Sequence, residues 1–363
     1  MCFLQFPMPD HRRTGLEPHS ALRKSTPPPH PHVQCSLPSC SSRSLACTTD
    51  HHHSTSNLGH DALRITHDHG ARQRKSLPAI KACLFDMDGL LIDSEDKYTI
   101  CTNEVLREYG RPDLPWHIKA RLQGRPGPAA GKILHDWAQL PIGREEYLAK
   151  VQASQKKHFP DCKPLPGVSQ LLQTLWKKTD PAVHMALATS SHAGNFKIKT
   201  DHLASTFDCF AQEHRVLGDD PRIGKGRGKP APDIYLLALK TINDRLQREG
   251  KEAIKPEECL VFEDSVPGVE SGRRAGMQVV WCPHPELLKE YEGREERVLA
   301  GQMGEYKEVE EKNESIGVVS GDGSKITSGA PGEIGDGWSI LLNSLERFPY
   351  ERFRIKVKQD SQL

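Results

Sequence analysis

The sequence has no long apolar run, almost no net charge and no close cysteine pair, and each absence excludes a class of protein. No stretch of the 363 residues approaches the roughly 20 apolar residues of a membrane helix, so we expect no bilayer span. The formal net charge is only +1, which argues against a nucleic acid polymer or an anionic membrane as partner. The ten cysteines form no Cys-x-x-Cys pair, which is typical of reduced thiols inside a cell.

Apolar residues are also scarce, at 36% of the chain, which predicts unfolded segments beside an ordinary core. Residues 1–77 are rich in Pro, Ser, His and Arg and are interpreted as a disordered, low-complexity tail. Residues 301–336 are interpreted as a disordered insertion, and 337–363 as a C-terminal helix and tail docking on the core. We expect a cytoplasmic monomer; a nuclear location and organelle targeting by the tail remain open.

Four short apolar runs predict the buried strands of a parallel sheet. Helical patterns separate these runs, as in Val168, Leu171, Leu172 and Leu175, which repeat with the spacing of one helix face. Alternating strands and helices indicate an α/β fold with a doubly wound parallel sheet. The predicted strands are Ile80–Phe85, Val183–Ala188, Cys259–Phe262 and Gln278–Trp281.

A block of purely helical pattern, residues 95–160, interrupts this alternation after the first strand. It is too long for one crossover connection, so we interpret it as a small helical cap domain inserted into the sheet domain. The α/β core is then predicted to comprise residues 78–94 and 161–300. The predicted cap helices are Glu95–Tyr109, Pro115–Leu122, Ala129–Leu140 and Arg144–Phe159.

Polar residues stand where the predicted strands end, which is where open α/β sheets carry their chemistry. The first strand ends in Asp86 and Asp88, separated by a single residue. The other groups at this edge are three successive hydroxyls, an acidic pair and a lysine before the next helix, which are Thr189-Ser190-Ser191, Glu263 with Asp264, and Lys229.

This set of side chains suits phosphoryl transfer. Asp86 can attack phosphorus and form an aspartyl-phosphate, and Asp88 can act as the general acid and base. A dianionic substrate requires a bridging cation, and Mg²⁺ held by Asp86 and Asp264 would supply it. The Thr189 hydroxyl, with Ser190 beside it, and Lys229 would bind the phosphoryl oxygens.

Simpler interpretations exist for several of these residues. Asp86 and Asp88 could form an ordinary Asp-Gly turn, and Thr189 could simply be the N-cap of a helix. We include Asp88 and Glu263 with Asp86 and Asp264 among the metal-ligand candidates, although Glu263 can equally position its neighbours.

Four stretches, "DMDGLLIDSE", "ALATSS", "GKPAPDIY" and "VFEDSVPGVESGRRAGM", resemble the successive motifs of the haloacid dehalogenase superfamily. The resemblance covers about residues 79–285, and the helical insertion matches the superfamily's first type of cap. It implies a Mg²⁺-dependent phosphatase with an aspartyl-phosphate intermediate. Longer stretches, such as "ALATSSHAGNFKIKT", are similar to the branch that contains the pseudouridine-5′-phosphatases.

The resemblance also implies where the substrate binds. Arg125 aligns with the substrate-facing turn of the cap, and its alternative is an ordinary exposed arginine. The implied partner is a small phosphorylated metabolite such as pseudouridine 5′-phosphate. A sugar-phosphate phosphatase, a phosphomutase and a non-catalytic protein of the same fold remain alternatives.

Overall fold

The computed structural model describes residues 77–125, 127–306 and 329–358. The predicted disorder of residues 1–76 and 307–328 therefore lies outside the described residues. The ends of the predicted insertion are placed against the core: the Gly304 amide donates to Glu270 Oε2 at 2.6 Å, and the Gly332 amide donates to the Ala300 carbonyl at 2.8 Å. The predicted disorder therefore does not hold for residues 301–306 and 329–336, which the structure describes.

The core is a parallel sheet of six strands in the order β3-β2-β1-β4-β5-β6. Helices cover both of its faces, as the sequence predicted for a doubly wound sheet. All four predicted strands are present. The strands are β1 (Ala82–Phe85), β2 (His184–Ala188), β3 (Arg215–Val216), β4 (Cys259–Glu263), β5 (Gln278–Trp281) and β6 (Ser339–Leu341).

The central strands are apolar because both of their faces are buried. In β1, Cys83 and Phe85 contact one hydrophobic cluster, whereas Ala82 and Leu84 contact a second cluster on the opposite face. The helices of the described core are α5 (Val168–Lys177), α6 (Ala193–Thr200), α7 (Ala204–Phe207), α8 (Asp233–Arg248), α9 (Val266–Arg274), α10 (Pro285–Glu290) and α11 (Glu295–Leu299).

Four helices between β1 and α5 form the inserted cap, close to the predicted positions. They enclose a third hydrophobic cluster of their own, which includes Leu106, Tyr147 and Phe159. A separate core explains how this segment folds as a subdomain beside the sheet. The helices are α1 (Ser94–Glu108), α2 (Trp116–Leu122), α3 (Gly127–Ala138) and α4 (Arg144–His158).

The predicted C-terminal helix was wrong. Residues Ser339–Leu341 form β6, which pairs in parallel with Val279–Trp281 of β5. The spacing of Trp338, Leu341, Leu342 and Leu345 imitates a helix face, but sheet pairing at the open edge of β5 takes precedence over this pattern. Further along, Leu345, Phe348, Phe353 and Ile355 are buried in the same cluster as Phe85.

No helix in the described parts of the chain combines the length and the apolar character that a membrane span requires.

Candidate active site

Three buried carboxylates meet at the carboxyl ends of β1 and β4. The two strands are parallel neighbours, and the Asp86 amide extends their ladder by donating to the Phe262 carbonyl at 3.0 Å. This register brings Asp86 beside Glu263 and Asp264. One ligand atom from each of the three lies within 4.8 Å of the others. The structure thus brings together acids that are 178 positions apart in the sequence (264 − 86).

Lys229 bridges two of these acids. Its Nζ lies 2.5 Å from Asp86 Oδ1 and 2.6 Å from Glu263 Oε1, and it also donates to the Ala188 carbonyl at 3.2 Å. Burial alone would lower the pKa of Lys229, but the charges of Asp86 and Glu263 raise it, which favours the charged form of the lysine. For Asp86, burial outweighs the attraction of Lys229 and raises the pKa to about 7.

Glu263 uses both carboxylate oxygens within the protein. Oε1 accepts from the Tyr235 hydroxyl at 2.6 Å as well as pairing with Lys229, and Oε2 accepts from the Ser265 amide and hydroxyl at 3.1 and 3.0 Å. A Cβ atom on Gly268 would lie 1.9 Å from Oε1, so helix α9 approaches this carboxylate as closely as it does only because it has a glycine there. These contacts favour a positioning role for Glu263 over that of a metal ligand.

Asp264 has far fewer partners. It accepts one side-chain hydrogen bond, from Gln123 Nε2 at 2.9 Å, and makes no ion pair with any described residue. Burial first, and then the charges of Glu263 and Asp86, raise its pKa well above the ordinary value. A carboxylate of this kind fits a cation site, because a divalent ion would relieve the excess of buried negative charge.

Gly89 lets the loop after β1 approach Asp264 closely. Its φ is +78°, in the left-handed region that glycine favours, and a Cβ atom there would lie 2.4 Å from Asp264 Oδ2. The turn that carries Asp88 is therefore pressed against the acidic group.

The Asp88 carboxylate lies in a cluster of donors. Ser94 donates to Oδ1 at 2.5 Å, Ser191 donates to Oδ2 at 2.6 Å, and the ammonium of Lys199 contacts Oδ1. Burial alone would raise the pKa of Asp88, but the charge of Lys199 and these hydrogen bonds lower it. Asp88 remains a candidate acid–base group, and it is not one of the three acids whose ligand atoms lie within 4.8 Å of one another.

The hydroxyls after β2 contact Asp88 and the cap. Thr189 is buried, and its Oγ1 lies 3.5 Å from Asp88 Oδ2 and accepts from the Ser191 amide at 3.1 Å. Ser190 donates to the Gly124 carbonyl of the cap at 3.4 Å. Ser191, which the sequence places at this strand end but to which we assigned no role, makes a shorter bond to Asp88 than Thr189 does.

These residues and their order along the chain match a known family. A family model described as a haloacid dehalogenase-like hydrolase matches residues 80–276, which is more than half of the chain. The chain belongs to the haloacid dehalogenase-like hydrolases. The predicted superfamily is confirmed.

Similar proteins within this family are named as phosphatases. A probable pseudouridine-5′-phosphatase of Saccharomyces cerevisiae is 48% identical over 224 residues, which are 62% of this chain and 91% of the relative. A probable pseudouridine-5′-phosphatase of Drosophila melanogaster is 36% identical, with the same two coverages of 62% and 91%. A mitochondrial (DL)-glycerol-3-phosphatase of Arabidopsis thaliana is 33% identical and covers 62% of this chain and 71% of the relative. The predicted enzyme class is confirmed with the family.

In this hydrolase the cap contacts the acidic site directly through the loop after α2. Gln123 is buried and reaches Asp264, as described above, and Gly124 accepts the hydrogen bond from Ser190. Arg125 forms an ion pair of 2.8 Å with Glu305 of the core and donates to the Arg121 carbonyl. Its predicted contact with substrate stays a prediction; in this structure Arg125 links cap to core.

Proposed function

We propose that the protein is a Mg²⁺-dependent phosphomonoester hydrolase that acts through an aspartyl-phosphate on Asp86. The observation that carries this proposal is the buried ion pair of Asp86 with Lys229. Asp264 lies next to this pair and forms no ion pair with any described residue. A carboxylate beside a fixed cation and a candidate metal site can approach a phosphoryl group that would otherwise repel it.

The reaction proceeds in two displacements. A carboxylate oxygen of Asp86 attacks phosphorus, the bond from phosphorus to the leaving oxygen breaks, and Asp88 gives that oxygen a proton. Asp88 then removes a proton from a water molecule, whose oxygen attacks the same phosphorus. The bond between phosphorus and Asp86 breaks, which releases inorganic phosphate and restores the carboxylate. Lys229 and Thr189 hold phosphoryl oxygens as charge develops on them.

Asp86 and Asp264 would hold the metal. When bound, Mg²⁺ neutralises charge on the phosphoryl oxygens and on the carboxylates. The all-oxygen donor set supports Mg²⁺ as the ion. Because both oxygens of Glu263 are already hydrogen-bonded, it fixes Lys229 and the start of α9.

For the substrate we propose pseudouridine 5′-phosphate, supported by the two relatives named as probable pseudouridine-5′-phosphatases. The second candidate is glycerol 3-phosphate, supported by the Arabidopsis relative. The cap, including Arg125, would recognise the leaving group and select between them. We further propose a cytoplasmic location, supported by the six described cysteines, which are all free. A monomer is the oligomeric state that we propose.

A purified-enzyme screen of phosphate release tests this proposal. The panel contains pseudouridine 5′-phosphate, UMP, 2-deoxyglucose 6-phosphate, glycerol 3-phosphate and β-glucose 1-phosphate at matched concentrations. We expect pseudouridine 5′-phosphate to give the highest kcat/KM. A preference for glycerol 3-phosphate would contradict the proposed substrate but agree with the proposed hydrolase activity. Isomerisation of β-glucose 1-phosphate without phosphate release would instead indicate a mutase, and no turnover with any metal would contradict the proposed activity.

A further inference from the structure

A fully buried lysine, Lys199, lies beside the candidate acid–base residue. It belongs to α6, where it is 0% exposed, and no motif of the sequence analysis includes it as a functional residue. Placing an ammonium group in a protein interior is costly unless it is paired and hydrogen-bonded. The partners of Lys199 therefore indicate why the chain keeps a cation at this position.

On the side of the core, Lys199 holds the Asp88 carboxylate. Its Nζ contacts Asp88 Oδ1 and donates to Ser191 Oγ at 2.6 Å, and Ser191 in turn donates to the other oxygen of Asp88 at 2.6 Å. One cation thus fixes both carboxylate oxygens, the first directly and the second through a hydroxyl. Ser94 is the remaining close donor, to Oδ1.

On the side of the cap, Lys199 contacts both chain connections. Nζ lies 3.3 Å from the Tyr98 hydroxyl, 5.1 Å from the centre of the Tyr98 ring and 5.3 Å from that of Phe159. Tyr98 is in the first turns of α1, where the chain enters the cap, and Phe159 directly follows α4, where it leaves. The two rings pack edge to face with centres 4.9 Å apart. Any movement of the cap about these connections displaces the groups that surround the ammonium.

We propose that Lys199 is a positioning residue, which orients Asp88 for proton transfer and couples that orientation to the position of the cap. This inference rests on the proposed function, in which Asp88 protonates the leaving oxygen and later deprotonates water. Without the ammonium, the hydroxyls of Ser94 and Ser191 and the more distant one of Thr189 remain to direct the carboxylate, and it can rotate away from the reacting atoms. Both proton transfers then slow, whereas attack by Asp86 and binding of the phosphoryl group are left intact.

The two displacements can be separated with p-nitrophenyl phosphate, whose leaving group departs without a proton. In Lys199→Met we expect p-nitrophenolate to be released in the first turnover within about threefold of the wild-type rate. Decay of the phosphoenzyme, measured by rapid quench, should be slower by about 10–100-fold, with kcat/KM changed less than about threefold because that ratio reports only the first displacement. If Lys199 only stabilised the fold, its replacement would lower the unfolding temperature and the active fraction without slowing phosphoenzyme decay.

Double-mutant cycles show whether Lys199 acts through Asp88. In an Asp88→Asn background, Lys199→Met should slow phosphoenzyme decay no further. Tyr98→Phe retains the ring but removes the hydroxyl, so it should slow decay less than Lys199→Met and be non-additive with it. Lys119→Met is the matched control, because Lys119 is a buried cap lysine that pairs with Glu95 and makes no contact with Asp88. It should not slow decay of the phosphoenzyme.

Three outcomes would overturn the inference: phosphoenzyme decay at the wild-type rate in Lys199→Met, losses that multiply with those of Asp88→Asn, or an equal slowing in Lys119→Met. If Lys199→Met does not fold, Lys199→Gln replaces it with the same criteria. Wild-type decay in Asp88→Asn would instead contradict the proposed acid–base role itself. A slow Asp88→Asn together with a normal Lys199→Met rejects the positioning role alone.

Discussion

Gln123 of the cap donates a hydrogen bond of 2.9 Å to Oδ2 of Asp264 in the core. The other amide atom of Gln123, Oε1, is buried with no hydrogen-bond partner among the described residues. The cap thus directly contacts an acid that we propose to hold the metal. Binding of a cation at Asp264 competes with this hydrogen bond, so metal binding and the position of the cap should be linked.

Mg²⁺ should stabilise the folded protein through Asp264. A ligand present at a hundredfold its Kd adds about 2.7 kcal/mol to the free energy of unfolding, which a thermal scan detects. We expect the wild-type Tm to rise with Mg²⁺ and to fall again with EDTA. Asp264→Asn should lose this response, whereas Asp201→Asn, which removes an exposed acid paired with Lys197, should keep it. If Mg²⁺ raised the Tm of Asp264→Asn as much as that of the wild type, the metal would bind at a site without Asp264.

Asp86→Asn should abolish turnover, because an amide is a poor nucleophile and cannot form the acyl phosphate. We expect kcat with p-nitrophenyl phosphate to fall more than about 10³-fold and no phosphoenzyme to be trapped. Asp93→Asn is the control from the same stretch of chain, because Asp93 accepts a hydrogen bond from the Lys163 amide and contacts none of the three buried acids in the described structure. Appreciable turnover by Asp86→Asn would remove Asp86 from its proposed role.

Acid should destabilise the fold through His214. Burial first, and then the charge of Arg245, lower the pKa of this imidazole, whose Nδ1 is 3.1 Å from Thr241 Oγ1. At this imidazole the unfolded chain therefore binds a proton more readily than the folded one as the pH falls below about 6.5, so the contribution of His214 to the free energy of unfolding declines there and is restored above it. His214→Gln should flatten this dependence in urea titrations at several pH values. His192→Gln, at an exposed position, should leave it unchanged.

The strand-end acids could be predicted from the sequence because parallel strands bring their carboxyl ends to one edge of the sheet. The order of the apolar runs was enough to predict that Asp86 and Asp264 lie close together. Lys199 gave no such signal: a lysine in a short helix reads as a solvated residue, and only the tertiary structure shows that its ammonium is buried. The C-terminal strand could not be predicted for a similar reason. A three-residue strand at a sheet edge is defined by its partner β5 and not by its own pattern.

Gly268→Ala should destabilise the protein far more than a glycine-to-alanine change in a helix usually does. A methyl group at this position of α9 would lie 1.9 Å from Glu263 Oε1 and 2.0 Å from its Cδ. That carboxylate is bound by Lys229, Tyr235 and Ser265, so it cannot move without breaking buried hydrogen bonds.

We expect a loss of about 1–3 kcal/mol in the free energy of unfolding for Gly268→Ala, with reduced turnover because Lys229 is displaced with Glu263. The matched control is Gly194→Ala in α6, where an added Cβ meets nothing within 4 Å. This change should be neutral or stabilise by up to about 1 kcal/mol, since alanine favours helix. Urea unfolding of both variants measures the difference. Equal stability of the two would mean that the start of α9 yields to the methyl group, and that Glu263 is held less firmly than its four close contacts suggest.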